Sequence, residues 1–174
     1  MGKRSNFERV ERDFYSTPIE AVIPLFPHLG QSCKYYEPCV GDGRLLENLS
    51  GGFNGHVCVG HSDIHPLIPS VTKNALDITI DDLKDADYII TNPPWDRKIL
   101  HPMIHHFRRL CKTWLLFDAD WPHTKQSVDY MKYCSKIVAI GRVKWIDNSV
   151  GAGKDNAAWY EFLDKECETV FYGR

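Results

Sequence analysis

The sequence predicts an α/β fold, a mostly parallel sheet of seven strands with helices on both faces and an antiparallel last strand. Strand-like apolar segments alternate with helix-like segments along the chain, which is typical of parallel sheets with crossover helices. The last two strand-like segments are joined by a glycine-rich loop without a helix, which predicts a hairpin and therefore one antiparallel strand. No repeat or low-complexity linker interrupts this alternation.

The first half of the chain supplies four predicted strands. "KYYEP" is a short strand that enters a glycine turn, and "VGDGRLLENL" turns into a helix. "GHVCVGHSDI" is the second strand, and a weaker third one is predicted around "NALDI". The first strand covers residues 34–38, the second ends at Asp63, the third covers 74–78, and a fourth strand ends at Asn92.

The second half supplies the remaining three strands and two helices. A helix is predicted from about residue 98 to 110, followed by a strand in "TWLLFDADW" and a helix in "SVDYMKYCS". "KIVAIGRVKWI" and "AAWYEFL" are the sixth and seventh strands, joined by the glycine-rich loop 148–156.

Length and composition indicate one soluble domain. With 174 residues, 43% of them hydrophobic, the chain suits a single core at about 150 residues per domain. We expect residues 1–174 to form one domain, with residues 1–12 flexible. The formal net charge of -2 excludes a global basic field, so any nucleic-acid contact must use local patches.

The expected compartment is a reducing cytosol. The six cysteines form no CxxC pair, and the first residues lack the apolar core of a signal peptide. No apolar run approaches the roughly 20 residues that span a bilayer. We therefore expect no membrane association.

A rigid polar corner is predicted in "DYIITNPPWDR", where the fourth strand ends. Pro93 and Pro94 lack an N–H and fix φ, so pairing stops there, and Asn92 is restricted to extended geometry by the proline after it. Open α/β sheets bind ligands at the carboxyl ends of their strands, which makes this corner a candidate site. The alternative is a Pro-Pro turn capped by a core tryptophan, Trp95.

A glycine loop and two acidic residues follow other predicted strands. Glu37 closes the first strand, and Gly41 and Gly43 let the backbone approach a ligand, although a simple tight turn is the alternative. Asp63 lies twenty positions after Gly43, the spacing at which a carboxylate binds the ribose hydroxyls of a nucleotide-like cofactor. Asp77 could accept from an adenine amino group. Either aspartate could instead be a loop or cap residue.

Together these motifs resemble the S-adenosylmethionine-dependent amino methyltransferases that modify adenine N6, or cytosine N4, in DNA. The resemblance rests on "EPCVGDG", the two acidic strand ends and "TNPPW", and "DFYSTPIEAV" precedes them as a Thr-Pro element does in the gamma order of motifs. It covers residues 13–165 and implies a Rossmann-like class I methyltransferase fold. Small stand-alone members whose sequences begin with a similar Thr-Pro element are known from bacteriophages and prophages. We therefore expect a protein of viral origin that acts in a host cytoplasm.

The resemblance implies S-adenosylmethionine as the cofactor and assigns residues to the site. The catalytic residues are Asn92, Pro93, Pro94 and Trp95. Substrate-binding residues are Trp95, Lys98 and Trp145, the last with a core position as the alternative. Cofactor-binding residues are Tyr15, Thr17, Pro18, Glu37, Pro38, Gly41, Gly43, Asp63, Ile64, Asp77 and Asn92.

The corner suits transfer to a planar amino nitrogen. The lone pair of such a nitrogen is delocalised into the ring, and two acceptors, the Asn92 side-chain oxygen and the Pro93 carbonyl, would localise it. The prolines hold the acceptors still, and Trp95 offers a face for a base that has left the helix. This chemistry requires no metal.

Other sequence features carry weaker predictions. The helix after Trp95 gathers basic residues that could contact phosphates or form a solvated face, at Arg97, Lys98, His101, His105, His106, Arg108 and Arg109. Cys58, His61 and His65 have a metal-like spacing, but strand alternation would point them apart. "GAGKD" lacks the residues of a phosphate loop.

The predicted function is methyl transfer to a nucleic-acid base, with adenine N6 in DNA preferred. The same motifs occur in enzymes that methylate RNA bases, cytosine N4 or protein glutamine, and a non-catalytic cofactor-binding module is a further alternative. No stretch of about 50–100 residues is left for a separate target-recognition domain, so relaxed sequence specificity is expected. A homodimer would add recognition surface.

Overall fold

The computed structural model describes residues 15–51, 55–145, 153 and 155–174. These residues form one eight-stranded sheet in the order β3-β2-β1-β4-β5-β7-β6-β8. The strands are β1 (Lys34–Glu37), β2 (Val57–Asp63), β3 (Val71–Thr72), β4 (Tyr88–Thr91), β5 (Thr113–Asp118), β6 (Cys134–Arg142), β7 (Asn156–Phe162) and β8 (Val170–Tyr172).

The strand order reverses between β1 and β4. The chain moves outward from β1 to β2 and β3, then returns to β4, which pairs in parallel with both β1 and β5. Neighbouring crossovers leave the sheet in opposite directions here, which opens a crevice at the carboxyl ends of the two strands. The order of the strands therefore creates the crevice.

Helices cover both faces of the sheet. They are α1 (Ile19–Val22), α2 (Arg44–Ser50), α3 (Ile80–Leu83), α4 (Arg97–Leu110) and α5 (Val128–Met131). Strand β5 shows the alternation that supports two cores: Trp114 and Leu116 pack with α1 and α2, whereas Leu115 and Phe117 pack with α4. A strand buried on both faces explains the unbroken apolar run in "TWLLF".

The predicted antiparallel strand is confirmed. β7 pairs antiparallel with both β5 and β6, and the β6–β7 pair is the hairpin expected from the glycine-rich loop. The mostly parallel sheet with helices on both faces is confirmed as well. Most of the loop 148–156, and the first twelve residues predicted to be flexible, lie outside the described residues.

The predicted third strand at 74–78 is wrong. A 3-10 turn occupies Ala75–Asp77, because the Asn74 side chain accepts a hydrogen bond from the Leu76 N–H over 2.9 Å and turns the chain. The third strand is the two-residue β3 immediately before it.

The sheet has eight described strands instead of the predicted seven. Strand β8 pairs in parallel with β6, so the last strand in the chain is not the antiparallel one. Two predicted elements are also shorter: β5 ends at Asp118, and α5 covers only part of 127–135. No helix in the described part of the chain is long and apolar enough to cross a membrane.

Candidate active site

A cavity of about 890 Å³ opens at the carboxyl ends of β1, β2 and β4. Glu37 ends β1, Asp63 ends β2, and Asn92 directly follows β4, and all three line the cavity. Because these strands are parallel neighbours, their polar ends converge although they are far apart in sequence. The cavity therefore coincides with the crevice that the topology creates.

The glycine loop forms one wall of the cavity. Gly41 and Gly43 have φ of 51° and 81°, and Gly43 donates to the Val40 carbonyl over 2.8 Å to close a tight turn before α2. Positive φ is strained for other residues, and a Cβ on Gly43 would lie 2.8 Å from the Ile68 side chain. Both glycines are therefore required by the loop conformation.

The Asp63 carboxylate ties this loop to β2. Its Oδ2 accepts from the Gly41 N–H over 2.9 Å, and its Oδ1 accepts from the His65 N–H over 2.7 Å. A carboxylate has about four lone-pair positions, so each oxygen keeps an acceptor position beyond these two bonds. Asp63 can thus hold the loop and still accept from a ligand hydroxyl at the cavity wall.

Glu37 places an unpaired carboxylate oxygen at the cavity floor. The residue is 1% exposed, and its Oε2 has no hydrogen-bond partner. Burial, together with the negative charges of Asp42 and Asp63, raises the pKa of Glu37 well above its ordinary value. A buried acceptor among carboxylates is satisfied best by a cation, which suits a ligand carrying an ammonium group.

Part of the cavity lining is apolar. Ile64 and Leu76 are 53% and 38% exposed and line it together with Asn74 and Leu67. Exposed aliphatic side chains inside a cavity suit a flat ring system. Asp77 does not belong to this wall: it is exposed at the end of the 3-10 turn, and the same turn presents Asn74 in its place.

Three hydrogen bonds hold the Thr-Pro segment, residues 16–18, at the cavity. Ser16 donates to the Asp42 carboxylate, and the Thr17 carbonyl accepts from Asn48 Nδ2 over 2.9 Å. The Thr17 hydroxyl accepts from Asn92 Nδ2 over 3.1 Å. Pro18 then precedes α1 and is buried behind the cavity wall.

The Asn92 carboxamide has a defined orientation. Its nitrogen points toward the Thr-Pro segment, donating to Thr17 Oγ1 and, over 3.4 Å, to the Tyr15 carbonyl. Its oxygen, Oδ1, accepts from the Trp95 indole N–H over 3.2 Å. Pro93 is buried and Pro94 lines the cavity, so the polar corner predicted from the sequence is present at the end of β4.

Trp95 is more involved in packing than a free stacking face would be. Its N–H also donates to the Leu116 carbonyl over 3.1 Å, and its half-buried ring contacts both cores. Trp145 approaches it edge-on, with ring centroids 5.7 Å apart, and lies 6.4 Å from Tyr15. Three aromatic rings thus cluster beside Asn92.

The basic helix α4 contains few free cations. Arg108 is 5% exposed, pairs with Asp164 over 2.9 Å and lies over the Tyr133 ring. His106 and His101 are bonded to the Ile78 carbonyl and to the Trp121 N–H. The phosphate-binding alternative is therefore restricted to exposed positions such as Lys98, His105 and Arg109.

Most predicted site residues meet at the cavity. Those that line it are Tyr15, Thr17, Glu37, Pro38, Gly41, Asp63, Ile64, Asn92, Pro94 and Lys98. Those that lie outside its lining are Pro18, Gly43, Asp77, Pro93, Trp95 and Trp145. Four polar side chains that support or line the site are not predicted from the sequence: Ser16, Asp42, Asn48 and Asn74.

Of these missed residues, Asp42 carried a local signal. It lies between the two glycines of "GDG", where a polar side chain at a helix start can bond to nearby backbone, and its Oδ1 accepts from the Arg44 N–H. Among the described residues, no group of three or more His, Cys, Asp or Glu side chains could hold a metal ion. His61 instead bonds to Ser70, and the Cys58 thiol donates to the Gly60 carbonyl.

The sequence matches no protein-family model and no curated protein. Three solved structures share its fold at 12% identity. A Pyrococcus horikoshii protein described as an RNA methyltransferase has a TM-score of 0.66, over 92% of this chain and 91% of that one. A Listeria monocytogenes protein described as a class I S-adenosylmethionine-dependent methyltransferase has a TM-score of 0.58, over 97% of this chain and 68% of that one. The M protein of the type I restriction enzyme EcoKI has a TM-score of 0.54, over 95% of this chain and 49% of that one.

At this identity the similarity concerns the fold. It extends over 92% or more of this chain in all three comparisons. The cavity lies at the switch in strand order, and its lining includes the glycine loop and the buried acid Glu37. The chain has the fold of the class I S-adenosylmethionine-dependent methyltransferases.

Proposed function

We propose that this protein transfers a methyl group from S-adenosylmethionine to the exocyclic amino group of a nucleic-acid base, with adenine N6 in DNA as the preferred target. The observation that carries the proposal is the fixed Asn92 carboxamide at the end of β4. Its nitrogen is bonded to Thr17, and it lines a cavity suited to the cofactor. An asparagine held in this way, with two prolines after it, is suited to binding an amino group.

Asn92 and Pro93 would act on the nucleophile. The amino lone pair of adenine is delocalised into the ring, and hydrogen bonds from the amino group to the Asn92 Oδ1 and the Pro93 carbonyl would draw it out of conjugation. Partial negative charge on these oxygens would also stabilise the positive charge that grows on the nitrogen during transfer. The two prolines keep the acceptors in place without reorganisation.

Residues at the cavity walls would hold the cofactor. Glu37 would accept from its ammonium group, and Asp63 from its ribose hydroxyls. Ile64 and Leu76 would contact the adenine ring, and Asn74 would take the polar role that Asp77 was predicted to have. When bound, the cofactor supplies an electrophilic methyl group on a sulfonium centre, which the acidic floor would favour electrostatically.

Two features favour a base over a protein glutamine as the acceptor. The aromatic cluster of Trp95, Trp145 and Tyr15 beside Asn92 offers rings on which a base could stack, with about 1–3 kcal/mol per stacked base. Lys98 lines the cavity at the start of α4 and is exposed, where it could contact a phosphate. Related folds include proteins named for RNA and for restriction-modification, so the test must include both nucleic acids.

The proposal is tested by mass spectrometry of nucleosides and amino acids after incubation with labelled cofactor. DNA, RNA and protein fractions are supplied separately, and Asn92→Ala is the matched control. We expect label on N6-methyl-2′-deoxyadenosine from DNA treated with the parent protein, and less label with the variant. Label on RNA, on cytosine N4 or on glutamine would identify that group, and not adenine N6 of DNA, as the substrate. No transfer by a protein that binds the cofactor would indicate a non-catalytic module.

A further inference from the structure

We propose that the Thr17 hydroxyl is a positioning group for the reaction, which acts by holding the Asn92 carboxamide with its oxygen toward the incoming amino group. This inference rests on the proposed function. Thr17 lies 75 positions before Asn92, and its hydroxyl accepts from Asn92 Nδ2 over 3.1 Å. The family resemblance implies only a cofactor contact for this residue.

The two ends of a carboxamide have nearly the same shape but opposite hydrogen-bonding roles. Around Asn92 the neighbours distinguish them. The Tyr15 carbonyl, which can only accept, faces the nitrogen, and the Trp95 indole N–H, which can only donate, faces the oxygen. A rotated carboxamide would place an acceptor against an acceptor and a donor against a donor, so one orientation is favoured.

Thr17 provides the shorter of the two bonds to the Asn92 nitrogen, and it is itself held firmly. The residue is 3% exposed, and its carbonyl accepts from Asn48 of α2 over 2.9 Å. Pro18 restricts it further to extended backbone. Its neighbour Ser16 is bonded to Asp42 in the glycine loop. The Thr17 hydroxyl is therefore held in a fixed position, because its segment is bonded to α2 and to the glycine loop.

A fixed acceptor matters because electrostatic stabilisation depends on groups that need no reorganisation during the reaction. Without the Thr17 hydroxyl, the half-buried amide nitrogen of Asn92 would lose its shorter hydrogen bond, and the carboxamide could rotate away from the amino group. The expected consequence is a slower methyl-transfer step with cofactor affinity retained. A direct cofactor contact would instead affect affinity.

The experiment compares Thr17→Val, which removes the hydroxyl at equal size, with Thr17→Ser, which keeps it. We expect Thr17→Val to lower kcat by about 5- to 150-fold, corresponding to about 1–3 kcal/mol for a polar group that loses its main hydrogen-bond partner. Thr17→Ser should stay within about threefold of the parent. Calorimetry with S-adenosylhomocysteine should give similar Kd values for all three. A normal kcat in Thr17→Val, or a loss confined to Kd, would overturn the proposal.

A double-mutant cycle tests whether Thr17 acts through Asn92. Residual single-turnover rates are measured for Asn92→Ala with and without Thr17→Val. No further loss is expected in the double variant, because the carboxamide is already gone. An equal additional loss would mean that Thr17 acts by another route.

A spectroscopic readout separates this inference from the proposed function. The side-chain amide signal of Asn92 in ¹⁵N-labelled protein is identified by its absence in Asn92→Ala. It should shift in Thr17→Val and stay close to the parent position in Thr17→Ser. If the signal does not move in Thr17→Val, the Thr17 hydroxyl does not position the Asn92 carboxamide. If the variants show the expected shifts but the parent protein is inactive, only the proposed function is refuted. Thermal unfolding of each variant establishes that it is folded.

Discussion

The Trp95 indole N–H donates a hydrogen bond to the Asn92 side-chain oxygen, with 3.2 Å between Nε1 and Oδ1. This oxygen is the acceptor that the proposed reaction requires. A carbonyl oxygen has two lone pairs, and the indole N–H is shared with the Leu116 carbonyl at 3.1 Å, so Oδ1 keeps capacity for a substrate amino group. Trp95 thus orients the acceptor as well as offering a ring.

Asn92→Ala should lower methyl transfer by roughly 10²-fold or more, as expected for the loss of one transition-state hydrogen-bond partner. Cofactor affinity should change little, because Glu37 and Asp63 remain. The measurements are single-turnover kinetics and calorimetry with S-adenosylhomocysteine. Near-normal turnover would end the proposed mechanism.

Replacements of Trp95 separate its two roles. Trp95→Phe removes the N–H and keeps a stacking ring, so kcat/KM should stay within about fivefold of the parent. Trp95→Ala removes the ring as well and should cost about 5- to 150-fold in kcat/KM, the equivalent of about 1–3 kcal/mol of stacking. Equal losses in both variants would show that the N–H, and not the ring, is what the reaction uses.

Glu37→Gln should stabilise the ligand-free protein at neutral pH. The folded-state pKa of Glu37 is raised above its ordinary value of 4.5. Its contribution to stability is therefore full below that value and is lost as the pH rises through the folded-state pKa. Glutamine does not titrate, so Tm should be higher at neutral pH by about 2–4 °C, the shift that about 1 kcal/mol produces in a domain of this size.

Thermal unfolding at several pH values tests this, and the advantage of Glu37→Gln should vanish toward about pH 4. The same variant should bind S-adenosylhomocysteine about tenfold more weakly or worse, because a charged acceptor is lost, at about 1.5–3 kcal/mol per bond. A pH-independent gain in Tm would show that titration of Glu37 is not its source. Unchanged affinity would place the ammonium group elsewhere.

Sequence preference on DNA should be relaxed. The described residues are used almost entirely for the sheet and the helices that cover it, and Arg108 and two histidines of α4 are bonded internally. Few of the described side chains remain to read base edges, and each good bidentate pair gives about 1–3 kcal/mol of discrimination. We expect a context of at most a few nucleotides. Binding should weaken steeply with salt, since phosphate contacts would supply most of the affinity.

Sequencing of methylated sites in a random DNA library, with Kd measured against salt concentration, tests both points. Arg109→Ala on the exposed face of α4 should weaken binding uniformly across sequences if it contacts phosphate. A strict motif of five or more bases read by a proven monomer would contradict the prediction.

Local signals predicted elements reliably where a residue's own chemistry decides its conformation. Pro93 and Pro94 end β4, and positive φ at Gly41 and Gly43 shapes the loop before α2. The prediction failed at 74–78, where the Asn74 side chain forms a cap that competes with strand pairing. Strand β8 was missed because its three exposed residues show no alternation of polar and apolar side chains.

The sequence by itself determined which chemical groups stand at the ends of the strands: the acid of Glu37, the carboxylate of Asp63 and the amide of Asn92. Only the tertiary structure decided their partners. The bond from Asn92 to Thr17 spans 75 positions, and that from Gly41 to Asp63 spans 22. Such pairs depend on how the sheet and helices pack, and the periodicity of each element alone does not specify which side chains will bond across that packing.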